Sequence, residues 1–201
     1  KRQILSVMNK FFTQQKNVVK SSFSGKRALV TAGPTVEVID PVRYVSNRSS
    51  GKMGYAIAEA LRDKGAIVTL ISGPTHLSLP EGINVVKVES ADDMFQAVTE
   101  RFAKQDIVIK AAAVSDYTPM DILEHKLKKQ EGGLSVQFKR TKDILKYLGE
   151  NKTHQYLVGF AAETQNIEQY ALDKLKRKNA DVIISNNVGD TSIGFSSDLS
   201  L

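Results

Sequence analysis

Apolar and polar positions along the chain fall into two alternating rhythms. Short runs rich in Val, Ile and Leu lie at 27–31, 67–71, 84–88, 106–110, 156–160 and 181–185. Their near-continuous apolar character is that of strands buried on both faces. Between them, 54–64, 91–103, 142–149 and 167–178 carry apolar residues at helical spacing. Strands alternating with amphipathic helices imply parallel pairing, because parallel neighbours need a crossover connection. The expected fold is α/β: a Rossmann-like, mainly parallel, doubly wound sheet with helices on both faces. Residues 26–31 form a central strand in this reading, and 54–64 the first crossover helix.

Two stretches depart from the alternation. At the N-terminus, Ile4, Leu5, Met8, Phe11 and Phe12 repeat at helical spacing, and a polar, small-residue stretch follows up to Gly25. This reads as a helix and linker whose apolar face needs a partner, on this domain or on a neighbouring one. Over 113–137 the periodicity fails for a length that in compact domains belongs to functional or disordered loops, so a loop or flap is expected there. No internal repeat or low-complexity tract breaks the chain further.

Ligands of an open parallel sheet bind beyond the carboxyl ends of the strands. Those ends carry Ala32-Gly33-Pro34-Thr35, Ser72-Gly73-Pro74, Ala111-Ala112-Ala113-Val114-Ser115-Asp116-Tyr117, Ala161-Ala162-Glu163-Thr164 and Asn186-Asn187. The densest chemistry follows the first strand, in Asp40-Pro-Val-Arg-Tyr-Val-Ser-Asn-Arg-Ser-Ser-Gly-Lys-Met-Gly54. A surface loop with a Ser N-cap is the plainer account of Ser-Gly-Lys. Arg43 and Asn47 on the same segment, ahead of a helix start, favour a phosphate and carboxylate site. Asp116 suits sugar hydroxyls or a base, and equally a capped turn. Lys126-Leu127-Lys128-Lys129 is an ordinary solvated cluster unless the flap closes over phosphates. Lys174 and Lys178, four apart, share a helix face. Phe160, at a strand end, is by default a core residue.

Composition narrows the chemistry. The chain has 201 residues, 41% hydrophobic and 25% charged, as expected of one medium-sized globular domain. Zero cysteines exclude disulfides, thiolate metal sites and a cysteine nucleophile. The three histidines, His76, His125 and His154, have no metal-ligand spacing. A net charge of +6 favours anionic partners, but without Trp a stacking platform for nucleic acid has little support, so small multiply charged ligands are expected. No apolar run reaches membrane-span length and no signal-peptide core opens the chain, so no membrane partner and a cytoplasmic location are expected. The first strand is not followed at once by GxGxxG, and no acid after the second strand stands ready for an adenosine ribose. A nicotinamide cofactor is disfavoured.

Taken together, Val30-Thr-Ala-Gly-Pro-Thr35, the 40–54 segment, Ala111-Ala-Ala-Val-Ser-Asp-Tyr117, Lys126-Leu-Lys-Lys129 and Gly159-Phe-Ala-Ala-Glu-Thr164 resemble phosphopantothenoylcysteine synthetase. The resemblance is to the synthetase half of a bacterial bifunctional enzyme of coenzyme A biosynthesis. It implies that 25–201 is a ligase domain shortened at its C-terminus, and that 1–24 is the end of a missing decarboxylase domain, the part that would hold FMN. It further implies CTP-dependent joining of 4′-phosphopantothenate to L-cysteine through an acyl-cytidylate, with Mg2+ on the triphosphate and a homodimer. By motif, the resemblance implies that Lys126 serves cytidylate formation, that Asn47 holds the acyl-cytidylate and assists the second step, and that Arg43 binds near the substrate carboxylate or the intermediate. Asp116, Lys142, Asp143, Ile144, Leu145, Phe160, Lys174 and Lys178 match CTP-binding positions, although Thr141-Lys142-Asp143-Ile144 stands where many relatives have Asn-Pro-Asp-Ile. Ser49, Ser50, Gly51 and Lys52 are assigned to phosphate, with Ala112 and Ala113 beside the substrate. The metal ligands are left unnamed. Two rivals share the architecture: a short-chain-dehydrogenase-like enzyme, which lacks its Tyr-x-x-x-Lys pair here, and a non-catalytic nucleotide-binding module, which has no need of Asn47 or Lys126.

Overall fold

A computed structural model describes residues 23–129, 131–163 and 167–187. The expected helix at 3–12 and the C-terminal residues beyond 187 lie outside the described residues. Six strands, β1 (Arg27–Ala32), β4 (Ile67–Ser72), β5 (Asn84–Lys87), β6 (Ile107–Lys110), β9 (Tyr156–Glu163) and β10 (Val182–Asn187), build one sheet in the order β10-β9-β6-β1-β4-β5. Every pairing in it is parallel. Counting only these six in chain order, the arrangement is 3-2-1-4-5-6, the doubly wound order of the Rossmann fold. The order reverses between β1 and β6, which is where such sheets open a ligand crevice.

Side-chain alternation along the strands separates two cores. Ala28, Val30, Val68, Leu70, Ile107 and Ile109 face helix α1 (Lys52–Asp63), which contributes Ile57, Ala58 and Leu61. Leu29, Ile71, Val108 and Leu157 face α2 (Ala91–Phe102) and α3 (Ile144–Asn151), through Met94, Val98, Ile144 and Leu148. The last crossover, α4 (Ile167–Arg177), packs on β10 and β9. Helix α2 begins at a full capping box between Ser90 and Asp93. Helix α3 starts at Ile144, two residues later than the pattern predicts, because the Asp143 carboxylate accepts the Lys146 N–H and serves as the N-cap.

Two antiparallel ribbons, absent from the sequence reading, stand outside the main sheet. β2 (Val36–Val38) pairs with β3 (Tyr44–Ser46), and β7 (Tyr117–Pro119) pairs with β8 (Phe138–Arg140). The expected flap is thus the far part of a hairpin arm. The ribbons touch one another, and the Leu123 N–H donates to Ile39 O at 2.9 Å.

Candidate functional site

The loops that leave β1 and β6 are stitched together at the reversal point. The Ala113 N–H donates to Gly33 O (2.9 Å), and the Thr35 N–H returns the contact to Ala113 O (3.3 Å). The Ala112 N–H donates to Thr31 Oγ1 (3.2 Å), and the Ser115 N–H to Thr35 Oγ1 (3.0 Å). Both threonines are fully buried, so their hydroxyls satisfy backbone donors that water cannot reach.

Three glycines shape this seam. Gly33 turns the chain at φ +74°, and a Cβ there would lie 2.9 Å from the Thr75 methyl. Gly51, at φ +77°, is the N-cap of α1 with no side-chain cap; its Cβ would come within 3.3 Å of Gly33 N. A Cβ on Gly54 would collide with Ala32 Cβ at 2.5 Å, so α1 rides directly on β1. Tight turn, close approach at the helix start and close helix–strand packing are the three duties of the dinucleotide-binding glycines. Here 34–50, with the β2–β3 ribbon, is inserted after the first of them. That insertion is why no GxGxxG spacing is visible in the sequence. Ser49 Oγ accepts the Gly51 N–H (3.3 Å) and Ser50 Oγ the Lys52 N–H (3.4 Å), so both serines shape the turn that presents the start of α1. Lys52 is exposed beside them.

The insertion carries Asn47 and Arg43. Asn47 Nδ2 donates to Val114 O (3.1 Å) and Ala113 O (3.5 Å), linking the approach to α1 with the small-residue loop after β6, where Ala112 and Ala113 are partly exposed. Arg43 pairs with Asp40 (2.5 Å), and both of its terminal nitrogens reach Leu127 O at 3.2 Å. Its guanidinium is therefore committed to the flap residue next to Lys126, which is itself exposed. Burial works to raise the Asp40 pKa, but N–H donors of Val42, Leu127 and Arg43 and the Arg43 guanidinium outweigh it and hold the carboxyl at about 2.

A second group gathers at the ends of β6 and β9. The 111–116 loop reaches it directly: the Thr141 N–H donates to Asp116 O (3.0 Å) and the Thr141 hydroxyl to Ser115 O (2.7 Å). Lys178 forms an ion pair with Asp143. Burial pushes Asp143 upward, but the Lys178 ammonium prevails and lowers its pKa. Lys174 Nζ donates to Phe160 O at 2.8 Å. Lys110, not singled out in the sequence, ends β6 among Asp143, Lys174, Asp116 and Lys178. Burial pushes its pKa down to about 8 against the pull of Asp143. Its signal was available: a lysine closing an otherwise apolar strand at the ligand end of the sheet.

Not every candidate side chain points into this group. Lys142 turns to α2, where it pairs with Asp92 (2.8 Å) and lies 4.8 Å above the Phe95 ring. Ile144 and Leu145 are buried in the core, which leaves only their backbone for a ligand. Among the described residues no three acidic or histidine side chains come together to hold a metal, and no helix is long and apolar enough to cross a membrane.

Residues 23–200 match the family model described as DFP, the DNA/pantothenate metabolism flavoprotein C-terminal domain. The chain is 50% identical over 199 residues to the Coenzyme A biosynthesis bifunctional protein CoaBC of Bacillus subtilis (strain 168), covering 98% of this chain and 48% of that protein. Its Haemophilus influenzae counterpart is 48% identical over 187 residues, covering 92% of this chain and 46% of that protein. The chain spans about half the length of these curated relatives. The crystal structure of the C-terminal domain of a CoaBC superposes with a TM-score of 0.75 at 51% identity, covering 84% of this chain and 81% of that one. With the family model spanning the whole described domain, the chain belongs to the DNA/pantothenate metabolism flavoprotein C-terminal domain family.

Proposed function

We propose that this domain ligates 4′-phosphopantothenate to L-cysteine at the expense of CTP, and that the whole protein works in coenzyme A biosynthesis, as the names of its relatives say of them. The substrate carboxylate attacks the α-phosphorus of CTP, forming the acyl-cytidylate and expelling pyrophosphate. The cysteine amine then attacks the acyl carbon, and CMP leaves. The observation that carries this reading is the seam itself. Asn47 joins the uncapped start of α1 to the 111–116 loop, and that loop leads straight to Lys110, Asp143, Lys174 and Lys178. One end of the crevice thus suits phosphate and acyl groups, and the other an anionic nucleotide.

In this mechanism the start of α1 and Lys52 bind phosphate, Asn47 donates to the acyl carbonyl, and Lys126 neutralises charge as pyrophosphate departs. The cytosine lies by Phe160, Lys174 and the backbone of 142–145. Mg2+ enters as part of the CTP substrate, held by phosphate oxygens and water. Residues 1–24 are read as the end of a decarboxylase domain that binds FMN, and the protein as cytoplasmic.

Without cysteine, CTP and phosphopantothenate should release pyrophosphate, and ATP should replace CTP poorly. Lys126→Gln should slow that release on the order of a hundredfold. Asn47→Ala should still form cytidylate but not pass it to cysteine. Rapid-quench measurement of pyrophosphate and amide product checks each step. Equal use of CTP and ATP, or equal loss of both steps in both variants, would overturn these assignments.

A further inference from the structure

Two acidic side chains are buried among the described residues, Glu37 and Asp40. Glu37 accepts the Ala91 N–H (2.9 Å) and so satisfies the start of α2. Asp40 reaches outward. Its Oδ1 closes a local turn by accepting the N–H groups of Val42 and Arg43, both at 2.8 Å. Its Oδ2 takes the Arg43 guanidinium and, 87 residues away in sequence, the Leu127 N–H at 3.1 Å. Arg43 in turn donates to Leu127 O. Both backbone polar groups of Leu127, which belong to two successive flap peptides, are thus gripped by one ion pair, and Lys126 is the residue before it.

We propose that Asp40 is a positioning residue: through Arg43 and the Leu127 peptide it fixes the register of the flap and so holds Lys126 over the nucleotide phosphates. This rests on the role proposed above for Lys126. The contacts are to backbone, so the grip does not depend on the Leu127 side chain. A hydrogen bond to a charged group is stronger than a neutral one, and a carboxylate and a guanidinium act together on the backbone of this one residue. The nearby contact of the arm with the same insertion, from the Leu123 N–H to Ile39 O, is by contrast neutral.

The test uses the full chain. Asp40→Asn keeps the shape of the side chain but removes its charge. Leu127→Pro removes the donor while leaving the Asp40–Arg43 pair intact, and it decides the matter if Asp40→Asn fails to fold. Leu127→Ala keeps the peptide and serves as the control. Limited trypsin cleavage after Lys128 and Lys129 should speed up about tenfold in Asp40→Asn and Leu127→Pro, but not in Leu127→Ala. The same two variants should lose kcat for pyrophosphate release while KM for cysteine stays put. Wild-type cleavage and pyrophosphate rates in both would overturn the proposal. Faster cleavage with no CTP-dependent pyrophosphate in the wild type would leave the grip standing and sink the ligase reading instead.

Discussion

Lys110 is where a single side chain has the most leverage. Its ammonium sits at the end of β6 in a partly dehydrated place, and burial brings its pKa from 10.5 down to about 8. The sign follows from proton linkage. Below about pH 8 both folded and unfolded chains carry the proton, so the burial cost is present in full. Between about 8 and 10.5 the folded chain has lost the proton and the unfolded chain has not, so stability gains from this group as pH rises. Lys110→Met should therefore melt higher than wild type near pH 7, and the gap should narrow as pH climbs through that window. A triphosphate nearby would restore the proton, so wild-type CTP affinity should weaken about tenfold between about pH 7 and 9.5, and less in the variant. Melting curves and calorimetry across pH check both effects, and a constant gap would remove Lys110 from the site. Asn47, Arg43 and Lys126 could be singled out as candidates because they fall inside long, distinctive motifs. Asp40 and Lys110 were not singled out, because their roles come from partners far away in sequence: Leu127 for one, Asp143 and Lys178 for the other.

Helix α1 and strand β1 meet with no room to spare, and this contact aims the helix start at the seam. Gly54→Ala would set a methyl 2.5 Å from Ala32 Cβ and 3.0 Å from Thr31 O, and the latter, being backbone, cannot step aside. Overpacking of this kind costs about 1–3 kcal/mol. At this chain length that lowers Tm by roughly 2–12 °C. The displaced helix start should also weaken binding of phosphopantothenate. A thermal shift together with a substrate titration measures both, and an unchanged Tm would show that α1 does not ride on β1 as described. The main-sheet strands and four helices could be read from pattern because burial on both sheet faces writes itself as apolar runs. The ribbons could not. β3 and β8 are exposed along their whole length, each ribbon strand is three residues long, and each pairs only with its hairpin partner. Three residues are too few to write an alternation, so these strands leave no periodic signal in the sequence. The same β2–β3 insertion divides Gly33 from Gly51 and Gly54 and so hid the glycine loop.

At the scale of the molecule, the 3-2-1-4-5-6 sheet supplies a rigid platform and the two ribbons form an appendage lying beside the seam. That appendage is oddly apolar on its outside. Tyr44 is 63% exposed and Ile122 66%, and Val42, Val45, Tyr117, Met120 and Phe138 are exposed as well. Single exposed apolar residues need no explanation, but a group of them on two touching ribbons is what an interaction surface would present. The homodimer implied by the sequence resemblance would cover it, each large side chain contributing about 1.5–3 kcal/mol when fully buried. Both are already exposed in the monomer, so Tyr44→Lys and Ile122→Lys should leave the fold and its Tm nearly unchanged. Together they should convert a dimer into a monomer. Since Asn47, Arg43 and the Lys126 arm belong to the same appendage, the monomer should also lose CTP-dependent pyrophosphate release. Light scattering at micromolar concentration, paired with that assay, separates the outcomes. A monomeric wild type would remove the dimer. A monomeric double variant with full activity would show instead that each protomer completes its own seam without its partner.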